Sequence, residues 1–216
     1  MPNAITNVVG FDDGPFDKGR KGHSSRDGEA ELSSASPERG KGWKPFQGFH
    51  NDVLLVGAVF ARTRLDGVLS GRIRRDGRNA TSRMAELVLD SQFDRHVRAV
   101  LLSGIAVGGF NVVDIHRLHV LLERPVIVVA RRLPRYPAIR RALQHVAGGD
   151  RKWALIQAAG PMEPVAGIYV QRVGISVDDT LALLKATTLH GKLPEPLRVA
   201  HLIAGGIAAG RSRGRA

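Results

Sequence analysis

The chain has no cysteine among its 216 residues, only 5% aromatics, and far fewer acids than bases. Without cysteine there are no disulfides and no thiolate metal sites, so any metal must be held by Asp, Glu, His or carbonyl oxygens. The same lack agrees with a cytoplasmic setting. No stretch approaches the roughly 18 apolar residues of a membrane span. The opening, MPNAITNVVGFDDG, lacks the basic and apolar regions of a secretory signal. Nothing repeats at solenoid period. With 43% apolar residues and a mean hydropathy of -0.10, the chain reads as an aliphatic-cored, soluble domain.

Arginine is what the chain has in excess. Lys and Arg total 32 against 20 acids, giving a net charge of +12, and 25 of the 32 are Arg. The planar guanidinium fork binds phosphate in bidentate fashion. The balance points to a polyanionic partner, nucleic acid; an arginine-rich proteome is the alternative source of the same count.

Residues 4–11 are rich in β-branched side chains and predict a strand. The Gly-, Ser- and charge-rich stretch 17–50 has no apolar period and predicts a long flexible insertion in a single domain spanning 1–216, which ends in a basic tail, 211–216. Two strands at 53–61 and 65–74 flank a short turn and form a hairpin. Helices are expected at 79–93, 111–123 (with Asn111 as cap), 137–146, 176–191 and 195–210. Strands are expected at 97–110, with its core at 98–103, at 124–131, and more weakly at 152–160 and 166–174. This order gives an α/β mixed sheet, an antiparallel hairpin plus parallel strands joined by right-handed crossovers, with helices on both faces.

Asp12 and Asp13 stand where the first strand is expected to stop, followed by Gly14 and Pro15. Two readings are open: a turn-initiating Asp pair, or a sheet end that offers oxygen ligands to a hard cation. The topology favours the second, because it brings Asp12, Asp13, Asp76 and the glycine-rich SGIAVGGF turn to one edge and leaves Asp66 at the other. The glycines fit either a phosphate cradle or tight backbone packing. His116 and His119 are expected to pack or face solvent, and His201 to be a hydrogen-bonded helix residue near a core. Arg72, Arg74, Arg75 and Arg78 surround Asp76 and either hold a nucleic-acid backbone or keep the surface soluble. Arg198 either pairs with an internal carboxylate or meets phosphate.

The segments GFDDGPF, LDGVLSGRIRRDGRNAT, GIAVGGFNVVDI, PVIVV and LPEPLRVAHLIAGGI, in that order, closely resemble the DUF99 (UPF0215) or endonuclease dU family, itself similar to endonuclease V. The resemblance implies a ribonuclease H-like fold and an endonuclease that needs Mg²⁺ or Mn²⁺ and acts on DNA at deaminated bases such as deoxyuridine, in DNA repair. It implies Asp12 as first metal ligand and Asp76 as second, with Asp13 or Asp114 completing the catalytic set. Asp114 enters because Ser103 stands where endonuclease V carries its third acid. A non-catalytic nucleic-acid-binding protein on the same fold is the alternative.

Overall fold

The computed structural model of the protein describes residues 5–15 and 52–212. The expected insertion at 17–50 lies outside them, as does most of the basic tail. Seven strands form one mixed sheet: β1 (Asn7–Asp13), β2 (Asp52–Ala61), β3 (Arg64–Arg74), β4 (Ala99–Ser103), β7 (Val126–Ala130), β8 (Glu163–Val165) and β9 (Ile168–Val173). Their order is β3-β2-β1-β4-β7-β9-β8. β1, β4 and β7 are parallel, while β2–β3 and β8–β9 are antiparallel hairpins on either side. A separate small hairpin joins β5 (Ala106–Val107) to β6 (Asn111–Val112).

The pleat sends alternate residues to opposite faces, and each face buries its own helices. On one face Val9, Phe11, Leu55, Ile73, Val100 and Leu102 meet α1 (Ala80–Leu89) and α2 (Ile115–Leu122). On the other, Val8, Leu54, Val56, Leu101 and Ile127 meet α5 (Val177–Thr187) and α6 (Glu195–Ala209). The helices show why they form: α1 buries Ala80, Met84 and Val88 at helical spacing, and Asp114 and Ser176 cap α2 and α5 by accepting from Arg117 N and Asp179 N. A satellite cluster of Val112, Leu143 and Ile156 seats α3 (Tyr136–Leu143) and α4 (Gly149–Ala158) beside the small hairpin.

Three expectations are corrected. Residues 152–158 belong to a helix, not a strand, with Ala159 its C-cap: Lys152, Ile156 and Ala159 are buried at i, i+4 and i+7, a period that the short apolar run conceals. Helix 79–93 ends at Leu89, and the Phe93 ring instead lies over Gly67 of β3, 2.2 Å from where a Cβ would be. The strand expected with its core at 98–103 spans Ala99–Ser103, and the glycine-rich turn follows it as expected. Asn111 does not cap a helix. Fully buried in β6, it accepts from Ala80 N and donates to Arg74 O and Asn79 Oδ1, tying β3 to α1. Asp114 takes the capping role and so begins α2 instead of lying one turn inside it.

Candidate functional site

β1 runs on through both Asp12 and Asp13, which pair with Val56 and Leu55 of β2. The expected strand end at residue 11 is therefore corrected, and of the two readings of the Asp pair the turn is the one that falls. The β4 ladder stops at Phe11, and β2 alone holds β1 extended to its last residue. The carboxylates then alternate like any strand neighbours. Asp12 follows Val8 and Gly10 toward α6, and Asp13 follows Val9 and Phe11 toward α1 and α2.

On the α6 side Asp12 is 7% exposed. Its Oδ1 accepts from Asp13 N, and its Oδ2 is hydrogen-bonded to His201 Nδ1 at 2.9 Å. α6 can come this near because β1 carries Gly10 beneath it: a Cβ there would lie 2.6 Å from the Pro196 carbonyl carbon. Asp12, Ser103, Ala130, Arg131, Leu193 and His201 line an open cleft of about 380 Å³ beyond the ends of β1, β4 and β7. Arg131 and Leu193 also line the next hollow, of about 250 Å³, with His190, Lys192 and Arg198. The pair makes a groove with basic walls.

On the other side the glycine-rich turn binds an anion, and that anion is the protein's own. Gly108 N donates to Asp13 Oδ2 at 3.1 Å, and Phe110 N donates to Asp76 Oδ1 at 2.7 Å. Asp76 N donates in return to Gly108 O. Gly109 has φ +82, and a Cβ there would sit 2.4 Å from Asp76 Oδ1. Both conformation and space demand glycine. Burial, and then the neighbouring charge of Asp12, push the Asp13 carboxyl up to about 6. Hydrogen bonds from Gly108 and its own N–H, and the nearby His201, pull the other way.

The other sequence candidates fall in different places. Asp76 is joined to Arg75 at 3.5 Å. Asp114 is occupied as the α2 cap and lines a separate cavity with Arg78 and Arg117. Arg72 and Arg74 are exposed in β3, on the row that faces the α6 side but lies beyond that helix. Arg198 is held by the buried Glu195, Nη2 to Oε2 at 2.6 Å, which favours the internal pairing over phosphate contact. His116 Nε2 and His119 Nδ1 are bonded to the carbonyls of Ala158 and Arg124, structural positions as expected. Asp66 lies at the opposite edge, paired with Arg64 at 2.6 Å.

His201 is the residue that sequence reasoning underrated: its hydrogen bond was expected, its partner was not. Its signal was faint. Leu197, Ala200 and Ala204 mark the buried face of α6, and His201 borders it one turn after Leu197.

Among the described residues no three Asp, Glu or His side chains form a group that would hold a metal ion unaided. The donors present fit a narrower role. Asp12, in the open cleft beyond the ends of β1, β4 and β7, suits a hard cation that takes most of its shell from water and substrate phosphates, as Mg²⁺ usually does.

Known proteins resemble this chain closely. A family profile described as Endonuclease dU matches residues 44–208. A UPF0215 protein of Deinococcus radiodurans is 45% identical over 212 residues, 98% of this chain and 93% of its own. The crystal structure of an Archaeoglobus fulgidus protein of unknown function superposes with a TM-score of 0.76 at 27% identity, covering 94% of this chain and 99% of that one. Endonuclease V of Ciona intestinalis, solved with a DNA 24mer containing an inosine, superposes at a TM-score of 0.51 and 12% identity over 92% of this chain and 84% of its own. That likeness identifies the mixed sheet as ribonuclease H-like.

Proposed function

The chain belongs to the Endonuclease dU family, and from that premise we propose that it is a nuclease that hydrolyses phosphodiester bonds of nucleic acid, DNA in the first instance, at the outer end of β1. Deaminated bases such as deoxyuridine are the proposed targets, which would make this a DNA-repair enzyme. The observation that carries the reading is Asp12, held by His201 in an open cleft that continues into a basic groove, with the Asp13 carboxyl at the same strand end.

Asp12 would be the principal holder of Mg²⁺ or Mn²⁺, in the cleft; Asp76 and Asp13, on the opposite face at the same sheet edge, would complete the set. When bound, such a cation neutralises charge on the phosphate and lowers the pKa of a water. His201 fixes the Asp12 carboxylate through Oδ2 and so sets which oxygen lone pairs face the cleft. Arg131 and Lys192 line the path of a strand leaving the pair. A damaged base would have to be read after it leaves the stack.

Cleavage of labelled oligonucleotides carrying deoxyuridine, inosine or no lesion, in Mg²⁺, Mn²⁺ or EDTA, tests this. Asp12→Asn is expected to lose at least about a hundred-fold in rate, since removing even a ligand's hydrogen-bond partner costs 10–100-fold. Asp66→Asn, at the far edge, should leave the rate unchanged. Ser103, in the cleft where a third acid would stand, favours one second reading: a nucleic-acid-binding protein without hydrolysis. Tight binding in EDTA with no cleavage under any metal would establish it.

A further inference from the structure

A small cavity of about 50 Å³ opens behind Asp76, on the face of the sheet away from α6. It has room for a few waters, the space of one tetrahedral oxyanion and too little for a nucleobase. Four cations line it: Arg78 from the β3–α1 turn, Arg117 from the first turn of α2, and Arg151 and Lys152 from the first turn of α4. None of the four has an ion-pair partner among the described residues. The cavity's one carboxylate, Asp114, accepts from Arg117 N as the cap of α2.

Lys152 is what separates this cavity from an ordinary solvated basic surface. It is 3% exposed, yet its ammonium meets only a neutral acceptor, the Asp76 carbonyl. An ammonium has three donors, so two remain for something else. Keeping a lysine in so costly a place makes sense if an anion arrives to balance it. α4 adds donors of its own, because Gly148 starts the helix at φ +69 with no side chain to cap it. Arg forks, an ammonium and backbone N–H groups together are the donor set of a phosphate site.

We propose that this cavity binds one backbone phosphate of a nucleic-acid strand, flanking the phosphate held at the Asp12–Asp13 pair. The site rests on the nuclease reading for its ligand, but its test does not depend on cleavage. It would anchor the strand on the α1 side of the sheet while the basic groove holds it on the α6 side, fixing the register of the chain across the carboxylates.

The test uses the full-length protein in EDTA, with fluorescein-labelled single- and double-stranded oligonucleotides followed by anisotropy from 50 to 200 mM salt. Arg117→Gln with Arg151→Gln, both at exposed positions, should weaken binding about ten-fold and make the slope of log K against log salt shallower by about 1. Arg62→Gln with Arg64→Gln removes the same charge from the far edge and should leave that slope alone. If the two double variants behave alike, the cavity is no phosphate site and only net charge matters. Inorganic phosphate distinguishes the other source. If it raises the wild-type Tm but not that of the Arg117/Arg151 variant, while oligonucleotide binding is the same in both, the cavity serves free phosphate and the strand proposal falls. A wild type that binds oligonucleotides in this way but never cleaves them would overturn the nuclease reading and leave the site standing.

Discussion

Asp13 is the residue whose chemistry differs most from its surroundings. Its carboxyl is raised from an ordinary 3.8 to about 6, by burial first and by Asp12 second. The folded state therefore grips the proton more tightly than the unfolded chain does between about pH 4 and pH 6. Stability falls as pH rises through that window, and the loss is complete above it. Asp13→Asn keeps an oxygen for the Gly108 N–H and removes the charge. The variant should be more stable than wild type by on the order of 2 kcal/mol at pH 7.5, and equal to it near pH 3.5, measured by urea unfolding. Saturating Mg²⁺ or Mn²⁺ should close most of the gap at pH 7.5, because the cation takes the proton's place; a gap that ignores both pH and metal would assign the effect elsewhere. His201→Ala leaves Asp12 without its Oδ2 partner and is expected to reduce cleavage about 10–100-fold. Much of this site could be read from residue type and order: Asp12, Asp13, Asp76 and the glycine turn do share an edge. What could not be read was which carboxylate each glycine would hold, since that depends on pleat direction at the last residues of β1. Nor could the sequence single out Lys152, because a lysine in a short apolar run carries no sign of burial.

α6 owes its seat to small residues on both sides of the contact. Gly10 lies under Pro196, and Ala200 and Ala204 are fully buried against the sheet. Gly10→Ala would drive a methyl into the helix backbone, where no side chain can swing aside, and overpacking of that kind costs about 1–3 kcal/mol. Because α6 carries His201, the same change should also slow cleavage more than its loss of Tm accounts for, when both are assayed well below the melting range. The long elements were legible for physical reasons. β2 is apolar along nearly its whole length because both of its faces are covered, and α1 repeats its buried residues at helical spacing. α4 was not. Its buried positions are few, a lysine among them, and what remains of the pattern does not distinguish strand from helix.

The whole molecule carries +12, and Arg117 and Arg151 on one side of the carboxylate edge and Arg131 and Lys192 on the other line hollows beside it. Binding to any nucleic acid should therefore weaken steeply between about 50 and 200 mM salt, as released counterions require; a flat response would rule out a polyanionic partner. The arrangement has a second consequence, for how the protein is made. The hydrogen bond between Asp12 and His201 joins residues 189 positions apart, and α6 is the last described element in chain order. Chains emerge from the ribosome at about 5–20 residues per second, so β1 is out for on the order of ten seconds or more before its histidine partner exists. Throughout that interval the α6 face of β1 is bare and Asp12 has no imidazole to hold it. The Asp12 end of β1 is thus the part of the fold completed last, when the final described helix docks.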